Sequence, residues 1–219
     1  MVLVNTPGSW AHLYPPLRHA GWHGLGGADL VFPFFLFISG SSIFFWLKKC
    51  RRSGNSDLHW KIMIRVGVIF ATGLFLNIFP FREPISDIRI MGVLQRIALA
   101  WGLATVACLL MKRRGLIITS LLALSAYWLL LSALGGLSLE GNLVRAIDMK
   151  ILGRSHLWKG KGVPFDPEGL LSTLPASVTV ITGYLAGTVI GTGDRVFRKL
   201  LSAGLISAAA GLLWGEVYP

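Results

Sequence analysis

GLIITSLLALSAYWLLLSALGGLSL, residues 115–139, runs for 25 positions without a charged side chain. A helix crosses the hydrocarbon layer with about 20 apolar residues, so this stretch alone is long enough to span a bilayer. Working outward, Leu30 to Leu47 gives another 18 uncharged residues and Gly169 to Gly193 another 25. A soluble chain of this size can bury one such helix in its core, but not several. The composition agrees, with 53% hydrophobic and 14% charged residues, against roughly 25% charged in ordinary soluble domains. The pattern predicts an all-α, polytopic membrane helix bundle with spans near 30–47, 62–81, 91–111, 115–134, 169–190 and 200–215. Residues 1–8 are too short to cross and run into the polar turn Pro7-Gly8-Ser9, so they are expected to be part of a further first span. The whole of 1–219 is expected to be one transmembrane domain, incomplete at both ends.

The formal net charge of +11 raises the question of nucleic acid, and its distribution answers it. Alternate connections between spans fall on opposite sides of the membrane. One side collects Lys48, Lys49, Arg51, Arg52, Lys61, Arg65, Lys112, Arg113, Arg114, Arg195, Arg198 and Lys199, opposed only by Asp57 and Asp194. The other side holds nine basic and eight acidic residues and is nearly neutral. Short loops rich in Lys and Arg stay in the cytoplasm, so the first group is predicted to lie inside. The basic charge is then a topology signal, and no nucleic-acid partner is expected. Cys50 and Cys108 fall on or near the reducing side and set no disulfide framework. Residues 1–8 lack a basic leader and a cleavage site, so they are not expected to act as a secretory signal peptide.

Three connections are predicted on the outer side, at 9–29, 82–90 and 135–168. Within the last, Leu143, Val144, Ile147, Ile151 and Leu152 recur at helical spacing, predicting an amphipathic helix on the membrane surface. Gly183, Gly187 and Gly191 share one face of their span. A face of small residues lets a neighbouring helix approach closely, either within the bundle or, in the sharper reading, in a homodimer.

Chemistry-bearing residues concentrate on the outer side. His19 lies in the loop stretch Arg18-His19-Ala20-Gly21-Trp22-His23-Gly24, and an imidazole there is either merely solvated or a general base near neutral pH. His12 and His23 do not complete a metal-ligand spacing with it, so no metal is expected. Asp29 directly precedes an uncharged run, where a carboxylate caps a helix, or orients a histidine, or binds an ammonium group. Asp166-Pro167-Glu168 has the same form, with Asp as cap, Pro at the first helical position and Glu in the first turn. Gln95 and Arg96 lie about one turn inside a span, where a charge either points into the bundle or snorkels to the interface.

Three stretches are distinctive in combination. The first is Val4-Asn5, then His19-Ala20-Gly21-Trp22, then Ala28-Asp29-Leu30-Val31-Phe32-Pro33-Phe34. The second is Gly92-Val93-Leu94-Gln95-Arg96. The third is His156-Leu157-Trp158 with Phe165-Asp166-Pro167-Glu168-Gly169-Leu170-Leu171-Ser172-Thr173. In this order they resemble the heparan-α-glucosaminide N-acetyltransferase family, polytopic membrane acyltransferases with many bacterial members. The resemblance implies acetyl-CoA as co-substrate, an amino-sugar or glycan amine as acceptor, and His19 as the active histidine. It also implies a multi-pass protein of the bacterial inner membrane. The family's opening Asp-x-x-Arg-Gly stretch and its final spans are absent here. Asn5, Asp29, Gln95, Arg96, Asp166 and Glu168 are the expected lining of the substrate cavity. Two other readings stand beside this one. An amino-sugar permease also places charge inside a bundle, though no paired broken helices in related halves support it. The other is an inactive fragment.

Overall fold

A computed structural model describes residues 8–9, 12, 14–53, 57–81, 84–135, 138–160 and 162–217. Among these residues every regular element is helical. The α-helices are α1 (Val31–Arg52), α2 (Leu58–Ile78), α3 (Val93–Leu110), α4 (Arg113–Leu134), α5 (Leu143–Ile151), α6 (Thr173–Thr192) and α7 (Val196–Val217). All but α5 are long and apolar enough to span a membrane, and the chain is a multi-pass membrane protein. Residues 1–7, including Asn5 and the expected partial span, lie outside the described residues.

The six spans coincide with the predicted segments, and the differences at their ends have physical causes. The first helix continues past Leu47 through Lys48, Lys49, Cys50, Arg51 and Arg52, because lysine and arginine are good helix formers once clear of the hydrocarbon. Their charges also suit the negative end of the helix dipole. The fifth span begins at Thr173, not 169, because the preceding segment is held in turns by side chains from elsewhere in the molecule.

Helix α6 is the centre of the bundle and touches α1, α3, α4 and α7. Its contact with α1 is set by glycine. A Cβ on Gly40 would lie 1.9 Å from the Val180 carbonyl oxygen, and one on Gly183 would lie 1.9 Å from that of Phe37. The two backbones therefore meet directly, and Ser41 Oγ donates to the Gly183 carbonyl at 2.9 Å across the crossing. Further along, Gly187 faces the Ser41 backbone and Gly191 the Phe44 ring. The glycine face is thus used for packing inside the bundle, against α1. Side chains from α1, α2, α3, α4 and α6 close the core, among them Leu36, Ile43, Ile62, Trp101, Leu116 and Val180. Leu201, Leu205, Ile206, Leu212 and Leu213 of α7 are exposed in the bundle, as suits a helix whose outer solvent is lipid.

The predicted amphipathic helix is present as α5, capped by Asn142, whose side chain accepts from Val144 N at 2.8 Å. Its inward face carries Val144 and Asp148, both buried, while Ile151 of the apolar set is 65% exposed.

Candidate functional site

Successive spans alternate in direction, so the connections 53–57, 111–112 and 193–195 share one end of the bundle. The loop before α1, the α2–α3 connection and the long segment from α4 to α6 share the other. His19 is at this second end. Its Nδ1 lies 2.6 Å from Asp29 Oδ1. The other Asp29 oxygen accepts from Ala20 N at 3.1 Å and Gly26 N at 2.8 Å. An ionised carboxylate only accepts hydrogen bonds, so Nδ1 carries the proton and donates it. In the neutral imidazole Nε2 then keeps its lone pair, on a ring whose side chain is 55% exposed.

The loop owes this shape to glycine at one essential point. A Cβ on Gly26 would sit 2.6 Å from the Arg18 carbonyl and 3.0 Å from Asp29 Oδ2, so any side chain there would displace the carboxylate from beneath the histidine. Asp29 itself lies in a 3₁₀ turn, Ala28–Leu30, that runs straight into α1. The start of α1 has no side-chain cap. The expected capping role is therefore corrected: this carboxylate turns back toward its own loop and orients the histidine.

A second cluster lies at the same end. Arg89 Nε and Nη2 donate to the two oxygens of Asp166 at 2.8 and 2.7 Å, and Nη2 also bonds Glu168. Asp166 is wholly buried and its Oδ1 accepts from Glu168 N at 3.0 Å. This too corrects a capping expectation, since α6 begins six residues after Pro167, at Thr173. Burial opposes the charge on Arg89, but Asp166 and Glu168 outweigh it and raise its pKa. Burial and the adjacent Asp166 push Glu168 upward, against the pull of Arg89. Asp148, also fully buried, accepts from Leu170 N at 2.9 Å through one oxygen. Its other oxygen has no hydrogen-bond partner among the described residues.

Arg96 borders the second cluster. Its guanidinium donates to the Pro167 and Ser172 carbonyls, each at 3.0 Å, and stands 5.4 Å from the centre of the Phe32 ring. Arg96 therefore faces protein, and the snorkelling alternative is set aside. Trp22, three residues beyond His19, meets Phe165 edge-on at 5.2 Å between ring centres. The third connection is bound in by His156, whose Nδ1 donates to the Ile88 carbonyl at 2.7 Å.

Of the residues expected from sequence, His19 pairs with Asp29, Asp166 and Glu168 gather around Arg89, and Arg96 holds the backbone on either side of Glu168 at Pro167 and Ser172. Gln95 stands apart. It is 1% exposed, with its Oε1 beside Gly73 and Gly92 and its Nε2 unpartnered among the described residues. Arg89 and Asp148 were not anticipated, and Trp22, His156 and Phe165 stood in the distinctive stretches without an expected contact. The lone signal for Asp148 was an acid within an apolar helical pattern, and for Arg89 a base in a short connection of mixed charge. Among the described residues, no group of three or more His, Cys, Asp or Glu side chains is gathered as metal ligands would be.

No protein-family model matches the chain. It is 30% identical over 87% of its length to human heparan-alpha-glucosaminide N-acetyltransferase. It is 29% identical over the same share to the mouse protein of that name. It spans 36% and 37% of their respective lengths, little over a third of each.

Proposed function

The chain is a relative of the heparan-α-glucosaminide N-acetyltransferases, and from that premise we propose that it forms part of a membrane acetyltransferase. In this reading acetyl passes from cytosolic acetyl-CoA to an amino-sugar amine on the periplasmic side of a bacterial inner membrane. The observation that carries the proposal is the His19–Asp29 pair, held by two backbone N–H groups at the mouth of the bundle.

An amine attacks a thioester carbonyl only in its neutral form and must lose a proton as the amide bond forms. His19 Nε2 is the available acceptor. The negative Asp29 keeps the proton on Nδ1 and stabilises the imidazolium that results, a division of labour shared by other histidine–carboxylate pairs. The amine nitrogen bonds to the acetyl carbon, the carbon–sulfur bond breaks, and the coenzyme leaves as thiolate. If Nε2 instead attacks the thioester first, the same free lone pair serves and His19 carries the acetyl group transiently. Glu168 and Arg96 lie at the same end of the bundle as His19, and a carboxyl group there could receive the acceptor's ammonium.

The test is His19→Ala in the protein at its native length, with His12→Ala and His23→Ala as controls from the same loop. Acetyl transfer should fall by about 10²–10⁴-fold for His19→Ala alone, the usual contribution of a positioned acid or base. Acetyl-CoA binding should be nearly unchanged. Full activity in His19→Ala, or equal losses in all three variants, would overturn the assignment.

A further inference from the structure

The other end of the bundle holds a cleft of about 390 Å³ that the acetyl-transfer reading does not use. It is lined by Phe44, Leu47, Lys48, Arg51 and Arg52 of α1 and by Tyr184 of α6. Positions 44, 47, 48 and 51 recur at the spacing of one helical face. The cleft is thus a single stripe on about the last two and a half turns of α1, walled by α6. Its lining contains three cations and no acid. None of Lys48, Arg51 and Arg52 forms an ion pair among the described residues. Lys48 Nζ stands 5.9 Å from the centre of the Phe44 ring, which places its charge at the edge of an aromatic floor.

The preference of basic loops for the cytoplasm and the dipole of α1 both explain why lysine and arginine occur at this end. Neither explains why three of them converge on one concave, acid-free surface while Lys49, in the same turn, does not line it. The depth of the cleft identifies its occupant. The uncharged run of α1 ends at Leu47, so the cations begin where hydrocarbon gives way to headgroups. The Phe45 ring, 46% exposed, packs edge-on against Phe44 at 5.2 Å and extends an apolar surface outward from the floor. Cations above and aromatic surface below match an amphiphile with a phosphate head and acyl chains.

We infer that the cleft between α1 and α6 seats the headgroup of an anionic phospholipid, with Lys48, Arg51 and Arg52 on the phosphate and Phe44 and Tyr184 against its glycerol and first methylenes. Basic pockets between membrane helices are suited to such headgroups. The inference stands independently of the acetyltransferase reading.

Native mass spectrometry of the purified chain in detergent, titrated with phosphatidylglycerol or phosphatidylcholine, tests it. Phosphatidylglycerol should be retained as one tight equivalent and phosphatidylcholine should not. The Lys48→Gln/Arg51→Gln double variant should weaken that equivalent by about 10- to 30-fold. Arg113→Gln/Arg114→Gln removes equal charge from exposed positions at the same end and should leave it unchanged. Circular dichroism establishes that each variant keeps its helices. Equal weakening in both double variants would mean diffuse attraction and overturn the site. Equal retention of the two lipids would do the same. Displacement of the bound phosphatidylglycerol by free coenzyme A would reassign the cleft to a soluble phosphate ligand and overturn the lipid assignment.

Discussion

Asp148 shows what a single residue does when its surroundings are only half supplied. One carboxyl oxygen accepts from Leu170 N, the other has no partner among the described residues, and Asp166 lies nearby. Burial, followed by the neighbouring Asp166 charge, pushes its pKa up to about 6 despite the Leu170 hydrogen bond. An unfolded chain would release this proton near pH 3.9. From about pH 4 to about pH 6 the folded state therefore holds one proton more than the unfolded state, and stability falls as pH rises. The contribution is complete below that window and gone above it. Asp148→Asn, which never ionises, should remove this slope and be more stable than the parent at pH 7 by on the order of 3 kcal/mol. Thermal unfolding in detergent between pH 4 and 8 measures it, and parallel curves for the two proteins would refute it. The sequence showed His19 and Asp29 as candidates because both were conspicuous in a short loop. Asp148 was hidden because its burial depends on Leu170, 22 residues away in a turn that no periodicity announces.

At the scale of elements, two junctions hold the bundle, and both make quantitative demands. At the α1–α6 crossing the obstacle to a side chain is backbone, which cannot swing aside. Gly183→Ala should therefore destabilise by about 1–3 kcal/mol or more, the range of overpacked cores. Gly204→Ala, where a Cβ meets nothing within 4 Å, should be neutral or slightly stabilising. Similar unfolding midpoints for the two variants would contradict the direct backbone contact. The second junction is Arg89 on Asp166 and Glu168, joining the α2–α3 connection to the segment before α6. Arg89→Met strands a carboxylate with no exposed surface and should cost about 3–5 kcal/mol. Adding Asp166→Asn removes the stranded charge and should recover part of the loss. A double variant no more stable than the single one would show that the ion pair is not the source. The helices were legible because a charge-free run of 18 or more residues has few alternatives. The junctions were less so. A glycine face was visible without its partner, and Asp29 and Asp166 looked like caps because local sequence favours caps, whereas a histidine from the same loop and an arginine from a distant connection prevailed.

For the molecule as a whole, the decisive property is which end of the bundle faces the cytoplasm. The structure fixes which residues share an end, and the charge distribution supplies the direction. Twelve basic and two acidic residues crowd the end opposite His19, while the His19 end is close to neutral. Short basic loops resist translocation, so the end carrying residues 53–57, 111–112 and 193–195 should be cytoplasmic. His19 should then face outward, as the proposed delivery of acetyl to an external amine requires. Single cysteines report this directly, provided the background is silent. Cys50 and Cys108 are buried and can be replaced by alanine as a precaution. Ser53→Cys lies just past α1 at the basic end, and Glu140→Cys lies in the long connection between α4 and α5. Both positions are exposed, and neither side chain makes a contact on which the bundle depends. In intact cells a membrane-impermeant maleimide should label Glu140→Cys and miss Ser53→Cys, and permeabilisation should make the two react alike. The opposite pattern would invert the protein. His19 would then share a compartment with acetyl-CoA, transfer across the membrane would lose its rationale, and a reaction completed wholly in the cytosol would become the better account of the His19–Asp29 pair.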